Sequence, residues 1–392
     1  MLHALFKALR QPLLLLLTLL LPGFATAAEL PILQRGVNLS HWLQYEGRQP
    51  VTSTDFALIR QAGLDHVRLP FDPVRLGWNP DAAPDAPWAN LATLDQIVDS
   101  ALAAGLAIIL DFHPESALRA RIETETKVQS AFVAAWRMLA ARYADRASGQ
   151  LAFELLNEPQ YYQTGGALAW QRLQNEALAA VRQQAPAHLV LLSGIQGGSI
   201  AGLRLMAPVR DARVRYVFHF YEPMLFTHLN APWEPFLSGP QGMITGLLYP
   251  VTPQVMSSYR LLPGANVKVA TDAVRRYVRE KWNSTKIAQE IAKASDWAKK
   301  NRVALVCTEF GALRKSLDPV SRNNWLRDVR STLANAGIGW SVWDYADFFG
   351  IATATGLTST THDGVIVPAD PLNPNRQFDT STLAALGLTP VP

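Results

Sequence analysis

Two acidic side chains, Glu158 and Glu309, stand 151 residues apart in similar settings. Glu158 nearly closes the run Leu151-Ala152-Phe153-Glu154-Leu155-Leu156-Asn157-Glu158-Pro159, and Glu309 nearly closes Val303-Ala304-Leu305-Val306-Cys307-Thr308-Glu309-Phe310-Gly311. Strands apolar on both faces are typical of a parallel sheet covered by helices. Proline then halts the ladder, because it has no N–H to give. Each carboxylate is therefore expected where a buried strand opens to solvent. Two such groups facing one another suit the cleavage of an acetal. The departing oxygen is a poor leaving group and needs a proton, while the carbon left behind becomes cationic and must be attacked or stabilised.

Other polar residues recur near the ends of predicted strands: Asn38, Arg68, Asp111, His113, Asn157, His219, Tyr221, Trp343 and Asp344. One buried polar residue is usually a satisfied core group. A whole set is harder to explain that way, because each buried polar atom needs a partner. A guanidinium such as Arg68 beside Glu309 would favour the charged carboxylate.

The elements that must position these residues follow from periodicity. Strands are expected at Pro31 to Leu39, Asp65 to Phe71, Ala107 to His113, the run from Leu151, His188 to Ile195, Val214 to Tyr221, the run from Val303, and Ile338 to Tyr345. Between them, apolar residues return at helical spacing: Leu91, Leu94, Ile97 and Val98; Val128, Phe132, Trp136 and Leu139; Trp170, Leu173, Ala177 and Val181; Trp325, Val329 and Leu333. Ser53-Thr54-Asp55 can cap a helix that Gly63 ends, and Asp379 to Leu386 reads as a closing helix. Glu222 to about Asn283 reads as a long irregular insertion after strand six, with Ala270 to Lys281 helical. Strand and helix alternate eight times, the order of an α/β (β/α)8 TIM barrel, whose catalytic end is the carboxyl end of its strands. A doubly wound sheet would carry a glycine-rich turn after its first strand, and Arg35-Gly36-Val37-Asn38 is not one.

Composition sets the outer limits. The 392 residues are 49% hydrophobic and 17% charged, enough for a large core. Residues 1–27 read as a secretory signal: Lys7 and Arg10 begin it, Pro12 to Leu21 form its apolar centre, and Ala25-Thr26-Ala27 end it. That reading makes residues 28–392 a single exported catalytic domain, periplasmic or extracellular, with no stable membrane span. Without Lys7 and Arg10, 34 basic side chains face 32 acidic ones. That balance lacks the clustered positive charge nucleic acid requires. Cys307 is the only cysteine, so no internal disulfide can form.

The ordered set Arg68, His113, Asn157-Glu158, His219 with Tyr221, Glu309 and Trp343 resembles glycoside hydrolase family 5, the cellulase-like retaining barrel glycosidases. The resemblance spans roughly residues 30–350. It implies Glu158 as general acid/base, Glu309 as nucleophile and Asn157 as partner of the sugar 2-hydroxyl. It further implies that Arg68 and Tyr221 orient Glu309, that His219 and His113 line the same subsite, and that Trp343 lies under the ring. The implied substrate is a β-linked glucan, with endo-β-1,4-glucanase first and exo-β-1,3-glucanase or β-mannanase as alternatives within the family. A non-catalytic polysaccharide-binding barrel is the alternative from another class. No cofactor and no metal are expected, and a monomer is.

Single residues have plainer readings. Glu154 and Asp111 read as structural contacts inside the barrel. Cys307, two residues from Glu309, is placed on the same strand face as a buried small hydrophobe. His41, His66, His188, His228 and His362 read as surface or packing. Among loop aromatics, Trp42 and Trp233 are the candidates for further sugar subsites. Trp78, Trp88, Phe236, Tyr249 and Phe348 could either line the cleft or pack their loops down.

Overall fold

A computed structural model describes residues 30–45, 51–84, 86–233, 244–353, 358–362, 365–369 and 376–389. The proposed signal segment, Phe236 and the side chain of His362 lie outside the described residues. Eight parallel strands close into a barrel: β1 (Arg35–Asn38), β2 (His66–Phe71), β3 (Ala107–Phe112), β4 (Leu151–Glu154), β5 (Leu189–Ser193), β6 (Val214–Phe220), β7 (Leu305–Phe310) and β8 (Gly339–Val342). Each pairs with its sequence neighbours, and β8 pairs with β1 to close the ring.

Alternation along the strands divides the core into two layers. Outward residues such as Val67, Leu110, Phe153, Val190 and Phe218 pack under the helices in one large apolar cluster. Inward residues begin apolar at the amino ends of the strands, where Ala107, Ile109, Ala152, Leu189, Leu191, Val217 and Val306 fill the barrel. One layer higher, the inward positions of the same strands become Asp111, Glu154 and His219, with Arg68 and Asn38 beside them. The pleat therefore carries a dry plug below and a polar floor above.

Helix tryptophans hold the strand exits in place. Trp136, on the helix Thr126–Tyr143, donates to the Leu155 carbonyl at 2.9 Å. Trp170, on Gly166–Gln184, donates to the Ser193 carbonyl at 2.9 Å, and the Ser193 hydroxyl donates to the Leu156 carbonyl at 3.0 Å. The carbonyls freed where β4 ends thus find donors without water, and the segment carrying Asn157 and Glu158 is braced from behind. The β4 ladder stops at Glu154, well before Pro159.

The first helix runs Ser53–Gln61, but its cap is Thr52: Thr52 and Asp55 form a reciprocal capping box. Among its described residues, the stretch after β6 is more regular than its prolines suggest. It holds a short hairpin, Ile244–Thr245 with Arg260–Leu261, and a helix, Val267–Glu280, ahead of the helix Ser284–Asn301. Tyr249 is buried there and donates to Asp328 at 2.7 Å, so it packs the insertion onto the barrel helices. Trp78 and Trp88 are buried likewise. Among the described residues, no helix is long and apolar enough to cross a membrane.

Candidate active site

A cleft of about 910 Å³ opens at the carboxyl end of the strands. Its lining includes His113, Asn157, Glu158, His219, Tyr221, Trp233, Glu309 and Trp343, contributed by β3, β4, β6, β7, β8 and the loops after them. Arg68 lies under this floor, fully buried.

Arg68 organises the floor through its fixed fork of donors. Nε and Nη2 hold Glu154 bidentately at 2.8 and 2.9 Å, and Nη1 donates to Asn38 at 2.9 Å and to Glu309 Oε1 at 2.7 Å. Nη2 also donates to Asn157 Oδ1 at 3.0 Å and lies 2.9 Å from Asp111. Burial alone would lower its pKa, but the charges of Asp111, Glu154 and Glu309 raise it well above the usual value, so the group stays cationic. Burial pushes the Asp111 carboxyl up to about 6 and raises that of Glu154, in both cases against the pull of Arg68. One buried cation thus answers three carboxylates.

The network also fixes how the neutral groups face. Burial, reinforced by the Arg68 charge, lowers His113 to about 3, so its ring is neutral. Its Nδ1–H donates to Asp111 at 2.8 Å, leaving Nε2 to accept from Asn157 Nδ2 at 3.1 Å. With Asn157 Oδ1 held by Arg68, the amide cannot flip without losing both bonds. Its remaining N–H is free to serve the cleft.

Two backbone irregularities turn the carboxylates inward. Thr308 faces the barrel interior, its hydroxyl 3.4 Å from Glu154, so alternation would send Glu309 outward. The pairing of β6 with β7 shifts register here: Phe218 pairs with Cys307, and His219 with Glu309. The extra residue is a bulge, which re-aims the side chain beyond it. Glu158 follows Asn157 with a left-handed backbone, φ 46°, which brings two consecutive side chains into one cleft.

An oxygen of Glu158, an oxygen of Glu309 and a ring nitrogen of His219 all lie within 4.8 Å of one another. The two carboxylates have unlike partners. Glu309, 4% exposed, takes Arg68 on Oε1 and the Tyr221 hydroxyl on Oε2 at 2.8 Å. Glu158 is more open and takes His219 Nδ1 at 3.0 Å; the same nitrogen lies 3.5 Å from Glu309. Burial would lower the His219 pKa, but the Glu309 charge and the bond to Glu158 raise it. Burial would raise Glu158, but the His219 bond and charge pull it down to about 2. One proton is thus held between a carboxylate and an imidazole, beside a second carboxylate that already has two donors. Three ligand atoms this close could bridge a cation, yet each is engaged, and Arg68 stands 2.7 Å from Glu309.

Residues 25–348 match the Cellulase family, glycosyl hydrolase family 5. The chain belongs to that family. This family 5 glycoside hydrolase is 28% identical over 327 residues to Endoglucanase C of Acetivibrio thermocellus, covering 79% of this chain and 90% of the relative. It is 25% identical over 324 residues to Cellodextrinase A of Ruminococcus flavefaciens, covering 78% and 83%. Among solved structures it resembles endoglucanase Cel5A of Thermotoga maritima, with a TM-score of 0.67, 22% identity, and 90% and 97% of the two chains covered. At that identity the structural likeness speaks for the fold.

Most of the residues singled out in the sequence come together in the family 5 barrel. Trp343 stands at the cleft with its ring stacked near His113, centroids 6.1 Å apart. Trp233 lines the cleft, 37% exposed, and leans on Phe348. Trp42 is a correction. It packs on the main apolar cluster and does not line the cleft; its loop offers His41 and Tyr45 there instead. The face assigned to Cys307 is another: the bulge separates it from Glu309, and Cys307 belongs to the layer under the helices.

Two histidines read as packing also prove to be cleft residues. His41 pairs with Asp347, its ring edge-on to Trp343, and His228 packs against Tyr221 at 4.9 Å. A left-handed backbone at His41, φ 66°, is the local oddity that distinguishes it, and it is invisible to spacing. His66 forms a buried chain with Asp65 and the Ser341 hydroxyl, at 2.7 and 2.8 Å. That chain has the residue types of a hydrolytic triad, but both Ser341 and His66 are fully buried.

Proposed function

We propose that this glycoside hydrolase is an exported endo-β-1,4-glucanase that acts by double displacement with retention. Glu309 is the nucleophile and Glu158 the acid/base. The observation that carries the reading is the pair of carboxylates within 4.8 Å, one held by a cation and a phenol, the other by an imidazole. Retaining enzymes set their carboxyls about 5–5.5 Å apart, and inverting ones leave room for a water between them.

In the first step a Glu309 oxygen bonds to the anomeric carbon as the glycosidic C–O bond breaks, and Glu158 gives its proton to the departing oxygen. Imidazolium beside carboxylate and imidazole beside carboxylic acid differ only in the position of one proton, which crosses the 3.0 Å bond between His219 and Glu158. In the second step Glu158 takes a proton from water, the water oxygen bonds to the anomeric carbon, and Glu309 is released. The free N–H of Asn157 meets the sugar 2-hydroxyl, and Trp343 lies against the apolar face of the ring. Trp233 extends the platform toward more distant sugars.

β-1,4-Glucan is favoured over β-1,3-glucan because the matches to relatives named as endoglucanases cover most of the chain. The match to the probable glucan 1,3-beta-glucosidase A of Aspergillus fumigatus covers 41% of it. Export is supported by residues 1–27. The test is product analysis on defined β-1,4-glucan, β-1,3-glucan and β-mannan oligosaccharides, with the anomer of the first-formed sugar read by NMR. β-Products from internal bonds of the β-1,4-glucan are expected. α-Products would end the retaining mechanism, and no released sugar from any of the three would make the protein a binder.

A further inference from the structure

We infer that Glu123 and the turn Gln196-Gly197-Gly198 form a clamp that positions Glu158; the inference rests on reading Glu158 as the acid/base. Glu158 and Tyr161 both have left-handed backbones, φ 46° and 40°. Residues with a Cβ disfavour that region and hold it only where their surroundings over-determine it. The surroundings here do so from two sides.

On one side stands Glu123, at the end of the helix Ser116–Thr124. Its two carboxylate oxygens accept the backbone N–H groups of Gln160 at 2.7 Å and Tyr161 at 3.3 Å. On the other side, Gln196, Gly197 and Gly198 run left-handed in succession, φ 58°, 69° and 67°. This turn donates from Gln196 N to the Gln160 carbonyl at 2.8 Å and from Gly197 N to the Pro159 carbonyl at 3.0 Å. Gln160 then donates from its own side chain to the Glu158 carbonyl at 3.0 Å. A Cβ at Gly198 would stand 3.6 Å from the His219 ring and 3.9 Å from Glu158 Cγ, so the turn packs directly on the proton-holding pair.

The N–H groups of Gln160 and Tyr161 and the carbonyls of Pro159 and Gln160 are thus tied to groups outside their own loop. Glu123 is not among the residues lining the cleft, so any effect it has on turnover passes through the loop it holds, which carries Glu158 and Gln160. It is a positioning residue.

The test compares Glu123→Gln and Glu123→Ala with Glu158→Ala as reference. A cello-oligosaccharide needs the proton from Glu158, whereas 2,4-dinitrophenyl β-cellobioside has a leaving group that departs without one. The expected loss in kcat/KM on the oligosaccharide is roughly 10- to 100-fold, larger for Ala than for Gln, which keeps one acceptor oxygen. On the dinitrophenyl substrate kcat/KM stays within about twofold, since that step does not use general acid catalysis. Its kcat falls, because water still needs a base, and azide restores it: azide bonds to the anomeric carbon, displaces Glu309 and yields β-cellobiosyl azide with no proton to remove. Equal losses on both substrates with no azide effect in either Glu123 variant, while Glu158→Ala is rescued, would overturn the clamp alone. Failure of azide to rescue Glu158→Ala would overturn the acid/base reading beneath it. Should Glu123→Ala not fold, Glu123→Gln carries the same comparison.

Discussion

Replacing Arg68 by Met tests the floor of the site most directly. The guanidinium is fully buried and bonds to Glu154, Asn38, Asn157 and Glu309, with Asp111 at 2.9 Å. Met has similar reach and no charge, so three carboxylates lose the buried guanidinium they share. They cannot stay ionised together, and one takes up a proton. Charging that proton at pH 7 to a carboxyl with a reference pKa near 4.3 costs about 4 kcal/mol, at roughly 1.4 kcal/mol per unit. This agrees with the roughly 3–5 kcal/mol seen when one partner of a buried ion pair is removed.

The sign with pH follows from linkage. In the variant the folded state holds an extra proton that the unfolded chain releases above its ordinary carboxyl pKa. A raised folded pKa contributes stability that is complete below the unfolded value and is lost as pH rises toward the folded one. Asp111, already at about 6 beside Arg68, has a wild-type loss confined to the interval between about 4 and 6. That loss is common to wild type and variant, so the destabilisation by Arg68→Met should grow by about 1.4 kcal/mol per pH unit from about pH 4.3 upward for the one extra proton held. Urea unfolding followed by tryptophan fluorescence at pH 5, 6 and 7 reads it. A destabilisation that is flat with pH, or below about 1 kcal/mol at pH 7, would refute the account of Arg68 as the charge the floor depends on.

Three further outcomes are expected. Tyr221→Phe removes a 2.8 Å bond from the hydroxyl to Glu309, and kcat/KM should fall roughly 10- to 100-fold, since hydrogen bonds to charged groups contribute about 1.5–3 kcal/mol; a change under threefold would show that the phenol does not orient the carboxylate. His219→Gln removes the group that keeps Glu158 low and holds the shared proton. Glu158 must then carry that proton itself, and a carboxyl gives it up sooner than an imidazolium set between two carboxylates. The alkaline limb of kcat/KM should move to lower pH, and an unmoved limb would contradict the shared proton. Trp233→Ala should raise KM several-fold on long oligosaccharides and leave kcat on the shortest cleaved one unchanged, the loss of an aromatic contact being about 1 kcal/mol; equal KM at all lengths would remove Trp233 from the binding track.

The barrel was legible because its two signals are local and redundant. Both-face apolar runs mark strands such as Ala107–Phe112, and helical spacing marks faces such as Val128, Phe132, Trp136 and Leu139. The polar ring was legible for a related reason: inward positions such as Asp111, Glu154 and His219 follow the apolar plug on the same strand face, so alternation alone carries them to the floor. The loops were not legible to the same degree. Trp42 and His41 are neighbours, and the sequence favoured the wrong one. Which of the two faces the cleft depends on a left-handed residue at His41 and on Asp347 from the far end of the chain. Neither leaves a periodic trace.

Glu309 shows where alternation itself fails. Counting by two from Val306 reaches Thr308, and Thr308 does face inward, onto Glu154. On an unbroken strand Glu309 would then lie among the residues under the helices, beside Cys307 and away from Arg68 and Tyr221. A single extra residue in β7 reverses that, and sets the carboxylate between Arg68 and Tyr221. Glu158 reaches the same cleft by a different departure, a left-handed backbone just past β4. Each carboxylate is therefore delivered by the one place where its own strand stops obeying the pleat. A regular barrel with this sequence pattern would keep its polar floor, with Arg68 and Glu154 paired as they are, and lose the pair that faces the sugar.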